Sequence, residues 1–178
     1  LITDGRDTDS KAAYNYISLI EKNIQKNKVG CIASICGRYY AMDRDKNYDR
    51  TKVYYDLVTK GRGIEILNIE NALKSSYDKG ITDEFLRPMM INREGTIKDG
   101  DVLIWMNYRS DRSKQILLAL TNPKFTEFDV TLMPNLEVFT FFNHDKLIKA
   151  NVLINEPDIN NSLGIYLSKL GMTQARIA

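Results

Sequence analysis

Arginine and aspartate occur together three times along this chain, each time just after an apolar, strand-like run. The first set is Asp4-Gly5-Arg6-Asp7, following Leu1-Ile2-Thr3. The second lies in Cys36 to Arg50, C-G-R-Y-Y-A-M-D-R-D-K-N-Y-D-R, which holds three arginines, three aspartates and three tyrosines. The third is Asn107-Tyr108-Arg109-Ser110-Asp111-Arg112, after Val102 to Met106. Guanidinium groups present a planar fork of donors that matches carboxylate and phosphate oxygens better than a lysine ammonium does. The chemistry these residues suit is the capture of a small, doubly anionic ligand, and Cys36 to Arg50 reads as the floor of its pocket.

Strands lying side by side bring their C-terminal ends to one crevice. Five arginines would then converge there: Arg6, Arg38, Arg44, Arg109 and Arg112. Asp7 among them is not needed to bind an anion. It should stay ionised beside so many cations, and a carboxylate so held could take a hydroxyl proton from a bound ligand. Arg109 and Arg112, three apart at the start of a helix, share one face. Exposed N–H groups there favour an anion, whereas cationic side chains oppose the helix dipole unless an anion is bound. The competing readings are plain ones. Asp-Gly is ordinary turn chemistry, and Arg109 and Arg112 can pair with local aspartates as structural ion pairs do.

The elements that must position these groups read as an α/β fold, a central mostly parallel sheet flanked by helices with some later strands antiparallel. Ser10 caps a helix reaching about Lys26, with Ala13, Tyr16, Ile17, Ile20 and Ile24 at helical spacing. Val29 to Ile35 is a central strand. Thr51 caps a second helix that buries Val53, Tyr54, Leu57 and Val58, and Asn68 caps a third that ends at Gly80. Val102 to Met106 is the next strand, and a helix from the third cluster runs to about Thr121. Phe125 to Leu132, Leu136 to Phe142 and Ala150 to Ile154 read as further strands. Asn155 to Asp158 reads as a linker, Asn161 or Ser162 caps a last helix closed by Gly171, and a final strand begins near Gln174.

Composition narrows the classes. With 178 residues and 43% hydrophobic content, the chain can bury a proper core. A formal charge of +2 gives no global field for nucleic acid or membrane, so anion binding must be local. No apolar run reaches the length of a membrane span, and no signal peptide is present. Cys31, Cys36 and His144 do not make a zinc site. Two thiols expected to be reduced point to the cytosol, and His144 reads as a turn residue with no activating partner.

Five motifs occur in order: D-G-R-D, I-C-G-R-Y-Y-A-M-D-R-D-x-x-Y-D-R, Y-x-x-G-x-T-D-E-F-x-x-P, K-D-G-D-V-x-I-x-M-N-Y-R-x-D-R, and L-G-x-Y-L-x-K-x-G-x-x-Q-A-R-I-A. Together they resemble cofactor-independent phosphoglycerate mutase over nearly the whole chain. The resemblance implies an isomerase of glycolysis and gluconeogenesis that interconverts 3- and 2-phosphoglycerate through a phosphoserine. It implies that Arg6, Asp7, Arg38, Arg44, Arg109 and Arg112 are substrate-binding, and that Asp7 moves the proton between the two hydroxyls. It also implies two divalent metal ions, manganese in type, and a serine nucleophile, carried by a phosphatase-like domain of the same parent chain. None of Ser10, Ser34, Ser110 or Ser162 has the nucleophile's context. Metal ligands and nucleophile would therefore lie before Leu1 or after Ala178. Residues 1–154 would be the phosphotransferase domain, N-terminally incomplete, and 155–178 a linker with the first elements of the phosphatase-like domain. The sequence departs from the family at Met106-Asn107-Tyr108-Arg109, where Phe-Asn-Phe-Arg is frequent, and at Lys46-Asn47-Tyr48, which replaces an Arg-Trp pattern. The alternative is a non-catalytic module that binds a small phosphorylated or carboxylated anion. A nucleic-acid role fits worse, because the arginines form clusters and no continuous basic stripe.

Overall fold

The computed structural model describes residues 1–154, 159–175 and 177. In chain order the elements are β1 (Ile2–Thr3), α1 (Ala13–Asn27), β2 (Ser34–Gly37), α2 (Arg38–Ala41), α3 (Tyr48–Lys60), β3 (Ile64–Glu65), α4 (Ile69–Asp78), β4 (Met89–Met90), β5 (Val102–Trp105), α5 (Ser110–Thr121), β6 (Glu137–Thr140), β7 (Asn151–Val152) and α6 (Leu163–Lys169). They build the expected α/β architecture. One sheet has the order β1-β2-β4-β3 and a second β5-β6-β7. Every pairing is parallel except β2 with β4. No helix among the described residues is long and apolar enough to cross a membrane.

Period-two alternation sorts the core onto two faces. Cys36 of β2 and Trp105 of β5 lie in one cluster with Tyr54, Tyr55 and Leu57 of α3 and Ile116 and Leu117 of α5. Ile35, the neighbour of Cys36, points to the opposite cluster, with Ile17 of α1, Leu73 of α4, Leu86 and Met89. The first cluster joins the two sheets, and it sets α3 and α5 side by side beneath the second and third arginine clusters.

Several boundaries differ from the sequence reading for identifiable reasons. Ser10 does not cap α1. Its carbonyl accepts from the Asp83 N–H at 2.9 Å, and the Asp83 carboxylate caps the helix from across the fold by accepting from Ala13 N at 2.8 Å. Thr51 is buried inside α3, which begins three residues earlier, and Val53 faces outward. Val29 is exposed, and β2 starts only at Ser34, opposite its short partners β1 and β4. Phe125 to Leu132 forms no strand. Its aromatics pack edge-on with one another and Phe128 stacks near Tyr55, whose hydroxyl meets the backbone of Thr131 at 2.8 Å. A side chain thus occupies the place of a neighbouring strand. Asn68 and Ser162 cap α4 and α6 as expected. The expected linker, 155–158, lies outside the described residues, and the expected strand near Gln174 lies partly outside them, with no strand among the described ones.

Gly37 ends β2 at the point where the chain must turn Arg38 inward. A Cβ there would come within 2.7 Å of the Leu86 backbone nitrogen. Backbone cannot give way as a flexible side chain can. We expect Gly37→Ala to lower the unfolding free energy in urea by about 1–3 kcal/mol, the usual cost of overpacking, with the loss read from the denaturation midpoint at constant slope.

Candidate anion-binding site

The three clusters meet at the C-terminal ends of β1, β2 and β5. A cleft of about 550 Å³ runs between β1 and β5, and Asp4, Asp7, Arg38, Asn107 and Arg109 line its polar end. Arg38 is the fixed member. It opens α2 directly after β2 and is only 5% exposed, yet it carries a charge. Its Nη1 donates to Asp4 Oδ1 and to Asp7 Oδ2, each at 2.7 Å. Burial works against the charged guanidinium, but the two carboxylates outweigh it and its pKa is raised.

Asp4 organises the loop that bears the first cluster. Its Oδ1 accepts from the backbone N–H groups of Arg6 (3.2 Å) and Asp7 (3.1 Å) as well as from Arg38. Asp7 Oδ2 also receives Nη1 of Arg109, 102 positions along the chain, at 3.4 Å, so Arg38 and Arg109 share one oxygen. The hydrogen bond from Arg38 is the main cause holding the Asp7 carboxyl below its ordinary range, and it is ionised at neutral pH.

On the far side, Arg44 donates to Asp111 Oδ2 at 2.6 Å, and Asp111 Oδ1 lies 3.7 Å from Arg109 Nε. Arg112 differs from the rest. Its Nη1 donates to the Met42 carbonyl at 3.1 Å, and its Nε is buried with no hydrogen-bond partner among the described residues. Burial lowers its pKa first, and the nearby charges of Arg44, Arg38 and Arg109 lower it further. The structure therefore brings Asp7, Arg38, Arg44, Arg109 and Arg112 together. It sets Arg6 apart, 3.6 Å from Glu84 and without an ion pair to the others among the described residues. The plain reading of local pairing holds for Arg109 and not for Arg112.

Sequence reasoning missed the buried aspartate that closes the loop before Arg44. Asp43, 5% exposed, accepts from Asp45 N, Asn47 N, Asn47 Nδ2 and Gln115 Nε2 at 2.7–3.1 Å. The signal available was the aspartate directly before Arg44, in a loop that then needs a left-handed residue, Lys46 at φ 63°. His144 sits half-buried in the turn after β6, where burial depresses its pKa, and neither ring nitrogen has a partner among the described residues. Both cysteines are free, and burial pushes the Cys36 thiol up to about 12.

A divalent cation does not fit this site. Among the described residues no three potential ligands converge. The nearby carboxylates Asp4, Asp7 and Asp111 are each already held by a guanidinium, in surroundings that repel a cation.

What this defines is an α/β unit whose strand ends gather guanidinium groups around a cleft. Residues 1–146 match the family described as BPG-independent PGAM N-terminus, and the chain belongs to it. It is 41% identical over 177 residues to a 2,3-bisphosphoglycerate-independent phosphoglycerate mutase of Bacteroides thetaiotaomicron, covering 98% of this chain and 35% of that protein. It is 43% identical over 183 residues to the enzyme of the same name from Coxiella burnetii, covering 99% and 35%. The chain spans about a third of the length of these curated relatives. A crystal structure of Leishmania mexicana phosphoglycerate mutase shares the fold with a TM-score of 0.72 at 24% identity, over 80% of this chain and 28% of that one.

The site carries its own pH dependence. Burial alone would raise the Asp43 carboxyl, but donors from Asn47, Gln115 and the backbone bring it below its ordinary range. A carboxyl whose folded pKa is depressed contributes stability above its unfolded value and loses it as pH falls through the folded one. We expect the urea midpoint to hold between about pH 7 and about pH 5 and to fall below about pH 4. Asp43→Asn should start lower at neutral pH and show a shallower acid limb.

Proposed function

We propose that this chain is the glycerate-binding part of a phosphoglycerate mutase that interconverts 3- and 2-phosphoglycerate by way of a phosphoserine. Residues 1–154 are its phosphotransferase domain, and 155–178 lead into a phosphatase-like domain of the parent protein, in the cytosol. That second domain would hold the nucleophilic serine and two divalent metal ions, manganese in type. The chemistry assigned to this chain is grip and proton movement. Arg38, Arg44, Arg109 and Arg112 hold the carboxylate and phosphate oxygens of the substrate, and Arg6, which lies beside Glu84 here, is assigned to the same grip. Asp7, kept ionised by Arg38 and standing at the cleft, takes the proton of one glycerate hydroxyl and returns it to the other.

The observation that carries this reading is Arg112. Arg112 lies beside three other guanidiniums and has a single hydrogen bond of its own among the described residues, to the Met42 carbonyl. An anionic oxygen brought to the cluster offsets that repulsion. Membership in the mutase family supports reading that anion as phosphoglycerate.

Calorimetric titration of 3-phosphoglycerate into the chain in metal-free buffer tests it. Saturable binding is expected, and a charge-assisted contact of about 1.5–3 kcal/mol means that Arg112→Ala weakens it about 10- to 150-fold. Equal affinity in the two proteins would count against the reading. The chain alone should not turn 3-phosphoglycerate into 2-phosphoglycerate, with or without manganese. Turnover above the uncatalysed rate would show that the division of labour between the domains is wrong.

A further inference from the structure

Arg112 and Gln115 stand three residues apart on α5 and so share one helix face. Arg112 Nη1 donates to the carbonyl of Met42. Gln115 Nε2 donates to the carbonyl of the next residue, Asp43, and to Asp43 Oδ2 at 2.7 Å. The helix thus lays two consecutive rungs onto two consecutive residues of the loop before Arg44. Gln115 and Asp43 are each 5% exposed. Asp43 in turn closes its own loop on Asp45 and Asn47, and its Oδ1 lies 3.5 Å from Arg50, whose guanidinium sits 4.1 Å from the centre of the Tyr39 ring.

We propose that Gln115 and Asp43 form a latch that positions Arg112 against Arg38 and Arg44, and that neither touches the ligand. The inference rests on the reading of the arginines as the substrate grip. Its physical basis is the repulsion inside the cluster. Arg112 sits beside three like charges and has a single hydrogen bond of its own among the described residues. One such bond does not hold a guanidinium against that field. The second rung does, because the Gln115 amide bonds an ionised and buried acceptor, which is stronger than a bond between neutral groups. With the rung cut, α5 is free to move its first turn away from the loop, and Arg112 leaves with it.

Arginine Nε–Hε resonances of ¹⁵N-labelled chain read the latch without any ligand. In the wild-type protein Arg112 should give a resolved, slowly exchanging signal. Gln115→Met keeps the volume and removes the donor. We expect it to send the Arg112 signal to the solvent-exposed region, leave that of Arg38 in place, and weaken 3-phosphoglycerate binding about tenfold. Gln115→His, whose neutral ring N–H can still donate to Asp43, should keep the Arg112 signal at about pH 8. Should Gln115→Met lose its native circular dichroism, Gln115→Asn makes the same test, since its amide stops one methylene short. An unchanged Arg112 signal in a folded Met or Asn variant overturns the latch, as does equal loss in the His variant. A wild-type chain with the resolved signal but no 3-phosphoglycerate binding would overturn the functional reading while leaving the latch standing.

Discussion

Four guanidinium groups held close enough to repel one another are the constraint to which the rest of the structure answers. Arg38, Arg44, Arg109 and Arg112 come from two segments about 70 residues apart in sequence, and each of the first three depresses the ionisation of the fourth. Left to themselves, such side chains would spread into solvent, where their mutual repulsion is screened. They stay because carboxylates are threaded between them. Asp4 and Asp7 hold Arg38, Asp7 also reaches Arg109, and Asp111 spans Arg44 and Arg109. Those three carboxylates face four guanidiniums, so the cluster keeps a net positive charge available to a ligand.

The carboxylates are placed by backbone and not by chance encounters of long side chains. Asp4 caps the turn it belongs to, and Asp43 closes the loop that precedes Arg44. Asp83 has the same part in the scaffold. It is 1% exposed, caps α1 through Ala13, accepts from Tyr77 at 2.5 Å, and offers its carbonyl to Thr3 of β1 at 2.7 Å. Short acidic side chains suit this work because they bond nearby N–H groups and lose little rotamer freedom in doing so. The fold therefore spends aspartate where it needs fixed negative charge, and arginine where it needs reach.

That difference in reach explains what was legible in the sequence. The arginines could be found because they follow apolar runs, and apolar runs reveal strand ends before any contact is known. Helices α1, α3 and α4 were legible by their spacing, and the caps at Asn68 and Ser162 by residue type. The two-residue strands β3 and β4 were not, since Ile64–Glu65 and Met89–Met90 are too short to show a period. Nor was the role of Asp43, Asp83 or Gln115. Each acts across a long sequence separation, 70 residues for Asp83 to Ala13 and 72 for Gln115 to Asp43. No local pattern encodes such a partner. The same blindness made Ser10 look like a cap, because a capping residue type is visible in sequence while the distant Asp83 taking its place is not; Thr51 misled by residue type alone, since α3 already begins at Tyr48.

Exposure also decides which arginines can change partners. Arg38 is 5% exposed and held by two carboxylates, so losing them would leave its buried charge unpaired. Arg44 and Arg109 are 46% and 47% exposed, and their partner Asp111 is 45% exposed. Pairs so open to water are weak, because solvent and salt compensate the charges when the pair opens. An arriving anionic oxygen can therefore take Arg44 or Arg109 from Asp111 at small cost, while Arg38 and Asp7 keep their geometry. The proton transfer proposed for Asp7 would use that asymmetry. In that proposal the base holds its position as the ligand reorients, and the clamps follow the ligand.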